Sequence, residues 1–230
     1  MKKTLKIAVR DLVAHVLRSG DLAFEFLSSA RPVDAIRIHQ KIQQSRPENY
    51  SAEVAVCHLV ETELFQLTIG GRVDGIYRDA DDVLIEEIKT TTRSLDYLED
   101  HENPIHWGQV KAYAYMYALD QGLKDLDAQL TYYQVDSGEI RNSKKHFKLT
   151  DLEAFFQDLV AHYLQWASTV VNWEVMRDDS IGKLAFPFGE YRPGQREMAV
   201  GVYRNIQNSG QQLIQAATGI GKTMAAIFPA

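Results

Sequence analysis

What most constrains the fold of this chain is a change of hydrophobic period. "VRDLVAHVLRSG" places Val9, Leu12, Val13, Val16 and Leu17 on one helical face over about 9–18, and Gly20 suits the stop. A second helix is expected over about 33–44, in "VDAIRIHQKIQQ". From Glu53 to Lys89 the pattern becomes short β-branched runs, "EVAVCHLV", "LFQLTI", "RVDGIY" and "VLIEEIK", separated by "ETE", "GG" and "RDADD". That spacing predicts an antiparallel meander. "ENPIHWGQVKAYAYMYALDQGL" then reads as a helix, with Asn103 as N-cap, Pro104 in the first turn and Gly122 at the stop. Strands are expected at about 128–135 and in "KKHFKL". An amphipathic helix over about 150–172 has Leu152, Phe155, Phe156, Leu159, Tyr163 and Trp166 on its apolar side. This order predicts an α/β sandwich with a mixed central sheet flanked by helices.

Composition excludes several classes. With 45% hydrophobic and 24% charged residues over 230 positions, the chain is neither disordered nor fibrous. Cys57 is the only cysteine, so no intramolecular disulfide and no cysteine-only metal site forms within the chain. It is read as a core residue, and a reducing, cytoplasmic compartment fits. "MKKTLKIAVRDLVAHVL" does not read as a signal peptide, and no apolar run approaches the ~20 residues of a membrane helix. No membrane partner is expected. The formal charge of −6 argues against a large nucleic-acid footprint. A site that gathers carboxylates around a metal is nevertheless acidic and still acts on phosphates.

Such a gathering is legible in "VLIEEIKTTTR". Side chains alternate along a strand, so Ile85, Glu87 and Lys89 share one face while Leu84, Glu86 and Ile88 share the other. Asp74 lies mid-run in "GGRVDGIYR", although Asp is depleted in strands. Pairing of the two runs through "DADD" brings Asp74 close to Glu87. Two carboxylates that close repel unless a cation lies between them, and hard oxygen donors suit Mg²⁺ or Mn²⁺. Such an ion polarises a phosphate and activates water, which Lys89 orients. The plain alternative is a solvated face on which the acids pair with Lys89, Arg72 or Arg78.

Together with "AIRIHQKIQ" and "QVKAYAYMY", the pieces "GRVDGI" and "EEIKT" resemble the PD-(D/E)XK nuclease superfamily, in its RecB-like exonuclease branch, over roughly 9–149. The resemblance implies a restriction-endonuclease-like α/β core. It makes His39 a metal ligand with Asp74, Glu87 and the carbonyl of Ile88, and makes Lys89 the catalytic lysine. Gln109 and Tyr113, four apart and so on one helical face, would shape the site and position the strand. Taken singly, His39 reads as a helix-surface histidine, Gln109 as solvated and Tyr113 as core. Many relatives carry four cysteines for an iron–sulfur cluster; with Cys57 alone, none is expected here.

Near the end, "QQLIQAATGIGKTMAAIF" has a β-like run, Gln212 to Gln215, before a glycine-rich turn. Ala216-x-Thr218-Gly219-x-Gly221-Lys222-Thr223 resembles the phosphate loop of DinG- and XPD-like superfamily 2 helicases. The resemblance implies ATP phosphates on Thr218, Gly219, Gly221 and Lys222, with Mg²⁺ on Thr223. In "EYRPGQREMAVGVY", Gln195, assisted by Arg192, would read adenine. The chain stops at Ala230, before the rest of such a motor. ATP is therefore expected to serve only the full-length protein, with the remaining helicase in cis.

The expected organisation is a nuclease domain at 1–175, a linker at 176–190 and an incomplete P-loop helicase domain at 191–230. The expected activity is metal-dependent hydrolysis of single-stranded DNA ends or flaps, in DNA repair. The alternative is a catalytically idle nuclease fold that guides DNA. Arg141, Lys144, Lys145 and Lys148 either track the DNA backbone or form a solvated strand edge. Alternation makes Glu87→Ala abolish cleavage and Glu86→Ala affect it much less.

Overall fold

Lys3–Ala8 forms strand β1, which leads directly into helix α1, Val9–Leu17, with Val9, Leu12 and Val13 buried. Helix α2, Pro32–Gln44, follows, and then strands β2 (Tyr50–Glu61), β3 (Phe65–Asp79) and β4 (Asp82–Thr91). Short helix α3 (Leu95–Asp100) precedes α4 (Pro104–Gln121); β5 (Asp125–Gln134), β6 (Ile140–Lys148) and α5 (Leu149–Gly182) come next. Helices α6 (Gln195–Gln207) and α7 (Lys222–Ile227) complete the order. The computed structural model describes residues 2–19, 32–80, 82–100 and 103–230; Gly20 lies outside them. The chain divides between Thr169 and Val170 into two units, the first carrying the sheet.

The six strands form one mixed sheet. One edge of β3 pairs with β2 in antiparallel fashion. Its other edge is shared by β1, parallel along Phe65–Gly70, and by β4, antiparallel along Gly75–Asp79. Beyond β4 come β5, parallel, and β6, antiparallel. This is the expected α/β architecture, and β2, β3 and β4 form the expected meander. α4 is held as its caps foretell: Asn103 Oδ1 accepts from the Ile105 N–H at 2.9 Å, and Gly122 ends the helix at φ 67°. The helix is buried on almost every side, which explains its run of small and aromatic residues.

Several details differ from the sequence reading. β1 was not foreseen; its parallel partner lies some sixty residues away, and "KTLKIA" alone carries too short an alternation. The "GG" pair is not a separator, because Gly70 and Gly71 lie inside β3. A Cβ on Gly71 would stand 2.7 Å from Tyr113 Oη, so glycine is there to admit α4 rather than to turn the chain. Cys57 is exposed rather than core, since the alternation of edge strand β2 turns it to solvent. α5 continues to Gly182. Gln212–Gln215 is not a strand and Leu213 is fully exposed; a β run needs a partner, and the described residues of 170–230 contain no other strand. Among the described residues no helix is long and apolar enough to cross a membrane.

Candidate active site

The alternation of β4 sets Glu87 and Lys89 on the face covered by α4. There Lys89 Nζ donates to Glu87 Oε1 at 2.6 Å and to Gln109 Oε1 at 2.6 Å. Glu87 and Gln109 are only 6% and 4% exposed, and Tyr113, one turn past Gln109, is 7% exposed. Asp74 sits where β3 and β4 part, next to the Gly75–Glu86 pair. Its Oδ2 accepts from the Ile88 N–H at 2.7 Å, and its Oδ1 lies 3.6 Å from His39 Nδ1 on α2. His39, Asp74 and the Ile88 amide thus form one cluster and Glu87, Lys89 and Gln109 a second beside it, with Tyr113 near enough to feel both carboxylates.

Burial dominates the electrostatics. It pushes the Glu87 carboxyl up to about 7; the Lys89 ammonium opposes that shift and the Asp74 carboxylate adds to it. Burial, then Glu87 and Asp74, lifts the Tyr113 hydroxyl well above the phenol range, so it stays protonated. Beyond Lys89 lies His106, a residue without a sequence signal. Its Nδ1 is 2.9 Å from Tyr132 Oη, and burial with the nearby Lys89 charge pushes it down to about 3. The imidazole is therefore neutral and adds no second cation beside Lys89. Gln43 was also not singled out; four residues after His39, it shares that helical face, and its Nε2 donates to the Asp74 carbonyl at 2.9 Å.

Among the described residues no three His, Cys, Asp or Glu side chains converge as a metal cage. His39 and Asp74 stand together, while Glu87 is turned to Lys89. In kind, the donors fit a hard divalent cation. The Asp74 carboxylate is close enough to raise the proton affinity of Glu87, and with an imidazole alongside, such a pair is relieved by positive charge between its members.

The opposite face of β4 is as crowded. Glu86 is fully buried, and its Oε1 accepts from Arg46 Nη2 at 2.5 Å, Thr131 Oγ1 at 2.5 Å and Gln129 Nε2 at 3.1 Å. Alternation foretold the face but not this enclosure. On β6, Arg141 pairs with Asp96 and Glu139, Lys144 with Asp127, and Lys145 covers the Trp107 ring. The strand-edge reading of this basic stretch thereby gains weight.

In the second unit, Gly219 and Gly221 have φ of 88° and 80°. Lys222 Nζ folds back to the Ala216 and Ala217 carbonyls, both at 3.0 Å. Arg192 donates to the Gly219 carbonyl, and Gln195 Nε2 donates to the Gly221 carbonyl at 3.1 Å. Arg192, Gln195, Gly219, Gly221 and Lys222 are brought together, while Thr218 and Thr223 are exposed beside them.

The family model described as the PD-(D/E)XK nuclease superfamily matches residues 8–183. No curated protein matches the chain. Among solved structures, SSO0001 is 16% identical, with 70% of this chain and 78% of that one covered at a TM-score of 0.46. LHK-Exo in complex with dAMP is 14% identical, covering 76% and 94% at a TM-score of 0.46. The alkaline exonuclease LHK-Exo from Laribacter hongkongensis, also 14% identical, covers 72% and 94% at 0.34.

Proposed function

The chain belongs to the PD-(D/E)XK nuclease superfamily, and from that membership we propose that it is a metal-dependent deoxyribonuclease acting on single-stranded DNA ends or flaps. The observation that carries the reading is the placement of Lys89, fixed 2.6 Å from both Glu87 and Gln109 beside Asp74 and His39. Asp74 and Glu87, with His39 and the Ile88 main chain, would hold Mg²⁺ or Mn²⁺. The ion, when bound, neutralises phosphate charge and makes water more acidic. An ammonium has three donors. Two of those on Lys89 are spent on Glu87 and Gln109, which leaves the third for the attacking water or the developing charge on the phosphate. Gln109 keeps its amide NH₂ for the strand, and protonated Tyr113 offers a hydroxyl at the same face.

Residues 191–230 are assigned to the phosphate end of a helicase motor acting in cis, after a nuclease domain at 1–175 and a linker at 176–190. Support comes from the left-handed glycines, Lys222 folded over the loop, and Arg192 and Gln195 bonded to it. ATP, with Thr218 and Thr223 completing the loop, would serve the complete protein in the cytoplasm.

The test is cleavage of end-labelled single-stranded DNA with Mn²⁺, comparing wild type with Asp74→Ala and Lys89→Ala. Each substitution is expected to lower the rate by about 10²–10³-fold or more. The second reading is an idle DNA-guiding module. A folded wild type that binds DNA and leaves it uncut establishes that reading instead. In the complete protein, Lys222→Ala should remove ATP-driven unwinding and spare cleavage of pre-opened DNA.

A further inference from the structure

Among the described residues, little holds His39 at the site. Its ring nitrogen is 3.6 Å from Asp74, beyond a hydrogen bond, and its placement depends on how α2 is fastened to the sheet. Among the described residues, α2 and the turn after it are fastened by buried Ile42, by the Gln43 amide on the Asp74 carbonyl, and by Arg46 on Glu86. Arg46 is the charged one of these, and it reaches the face of β4 opposite the site.

That back-face cluster is joined to the front face in two ways. Glu86 and Glu87 are consecutive, so the carboxylate gripped by Arg46 shares a peptide with the carboxylate beside Lys89. Tyr50 packs edge-on against Tyr77 at 4.7 Å, over which the Arg46 guanidinium lies at 5.8 Å, and its Oη donates to the Asp74 carbonyl at 3.3 Å. Gly75 is glycine to admit Tyr50: a Cβ there would stand 1.7 Å from Tyr50 Oη. The cluster is also imperfectly satisfied, since among the described residues Glu86 Oε2 and Arg46 Nε are buried without a hydrogen-bond partner. Buried ion pairs are weak devices for stability alone, because apolar residues of similar size often do as well. An under-satisfied pair that ties the turn after α2 to strand β4 makes better sense as a device for register.

We propose that the Arg46–Glu86 pair is a positioning clamp, which sets α2 on the sheet and thereby places His39 at the cation site. The proposal rests on the metal-site reading above. Arg46 and Glu86 touch neither the cation nor DNA; they act through His39 and the Asp74 main chain.

The experiment reads Mn²⁺ affinity directly, by titration calorimetry or by the electron paramagnetic resonance of free Mn²⁺, on the intact chain without DNA. Thermal melts run alongside. The double variant Arg46→Met/Glu86→Leu removes the pair without orphaning either charge. It leaves the buried Thr131 hydroxyl and Gln129 amide without their Glu86 acceptor and should melt somewhat below wild type, yet while folded bind Mn²⁺ about 10–100-fold more weakly, as losses of supporting residues around metal ligands do. His39→Ala should cost a similar factor in wild type and almost nothing further in the double variant, because the clamp acts through His39. Wild-type affinity in the double variant overturns the clamp, as do losses that multiply. Arg46→Lys, which keeps a cation on Glu86, covers the case in which the double variant does not fold: it should bind Mn²⁺ measurably more weakly at similar stability, and unchanged affinity overturns the proposal. Wild type with Asp74→Ala separates the two levels. Asp74-dependent binding that survives loss of the pair removes the clamp alone, whereas a wild type that binds no Mn²⁺ removes the metal site and the clamp with it.

Discussion

Replacing Gly71 with alanine perturbs Tyr113 without altering it. The new Cβ would lie 2.7 Å from Tyr113 Oη and 2.9 Å from Cε1, whereas ordinary contact begins at 3.4 Å. The ring must therefore retreat by about 0.7 Å within a packed core. Overpacking of this kind costs about 1–3 kcal/mol, and exchanging a strand glycine for alanine returns about 0.5–1 kcal/mol. The overpacking wins by about 1 kcal/mol, a fall in Tm of about 2–4 °C for a chain of this size. The catalytic effect should be larger. Tyr113 stands beside Gln109, which holds Lys89, and a displacement approaching 1 Å in a positioning group costs up to about 10²-fold in rate. Gly70→Ala is the matched control, because its Cβ meets the Val56 carbonyl at 3.4 Å and nothing closer. It should leave cleavage unchanged and hold or raise Tm. Thermal melts and Mn²⁺-dependent cleavage of a labelled oligonucleotide read both variants. Two alanines that behave alike, or a Gly71→Ala enzyme with wild-type rate and Tm, refute the close approach of α4 to β3 on which the reasoning depends.

Four further outcomes follow from the same structure. The folded-state value of about 7 for Glu87 exceeds the ordinary 4.5, so the fold holds a proton that the unfolded chain releases. Its contribution to stability declines as pH rises from about 4.5 to about 7 and then levels. A cation must displace that proton, so the Mn²⁺ concentration needed for half-maximal cleavage should rise toward about tenfold per pH unit below 7, read by Mn²⁺ titrations across pH. Glu86→Ala strands Arg46 and should cost about 3–5 kcal/mol, while Glu87→Ala should cost less stability yet abolish cleavage; melts and rates on the pair check the inversion. Asn103→Ala removes the cap of α4 and should lower stability by about 1 kcal/mol, visible in the same melts.

Part of the front face was legible from local rules: alternation put Glu87 beside Lys89, and an acid inside a strand marked Asp74. His39, Gln109 and Tyr113 came from the family resemblance, to which helical spacing added only that the last two share a face. Capping chemistry likewise placed both ends of α4. What escaped depends on partners distant in the chain. β1 is defined by a parallel neighbour that no short window reveals, and Gly70-Gly71 looks like a turn until Tyr113 is seen against it. Cys57 looked like core because its run is apolar, but burial alternates along β2 and Cys57 falls on the exposed face. Glu86 was rightly turned away from Glu87, yet alternation says which way a side chain points and nothing of what covers it. Arg46 and His106 have no periodic or motif signature; their roles appear only once α2 and α4 have been docked.

Because β3 is paired along both edges, by β2 on one and by β1 and β4 on the other, Asp74 cannot slip by one residue without three ladders breaking together. The pairing with β1 joins segments some sixty residues apart, so of the three β3 ladders it carries the largest loop-closure cost. Chemistry and cooperativity are therefore joined in one strand. Partly folded chains would hold the acids of "VDGI" and "EEIK" without fixing their spacing. Cleavage competence should then return on refolding with the last, slowest phase of sheet assembly, and no fragment that lacks β1 should recover it early.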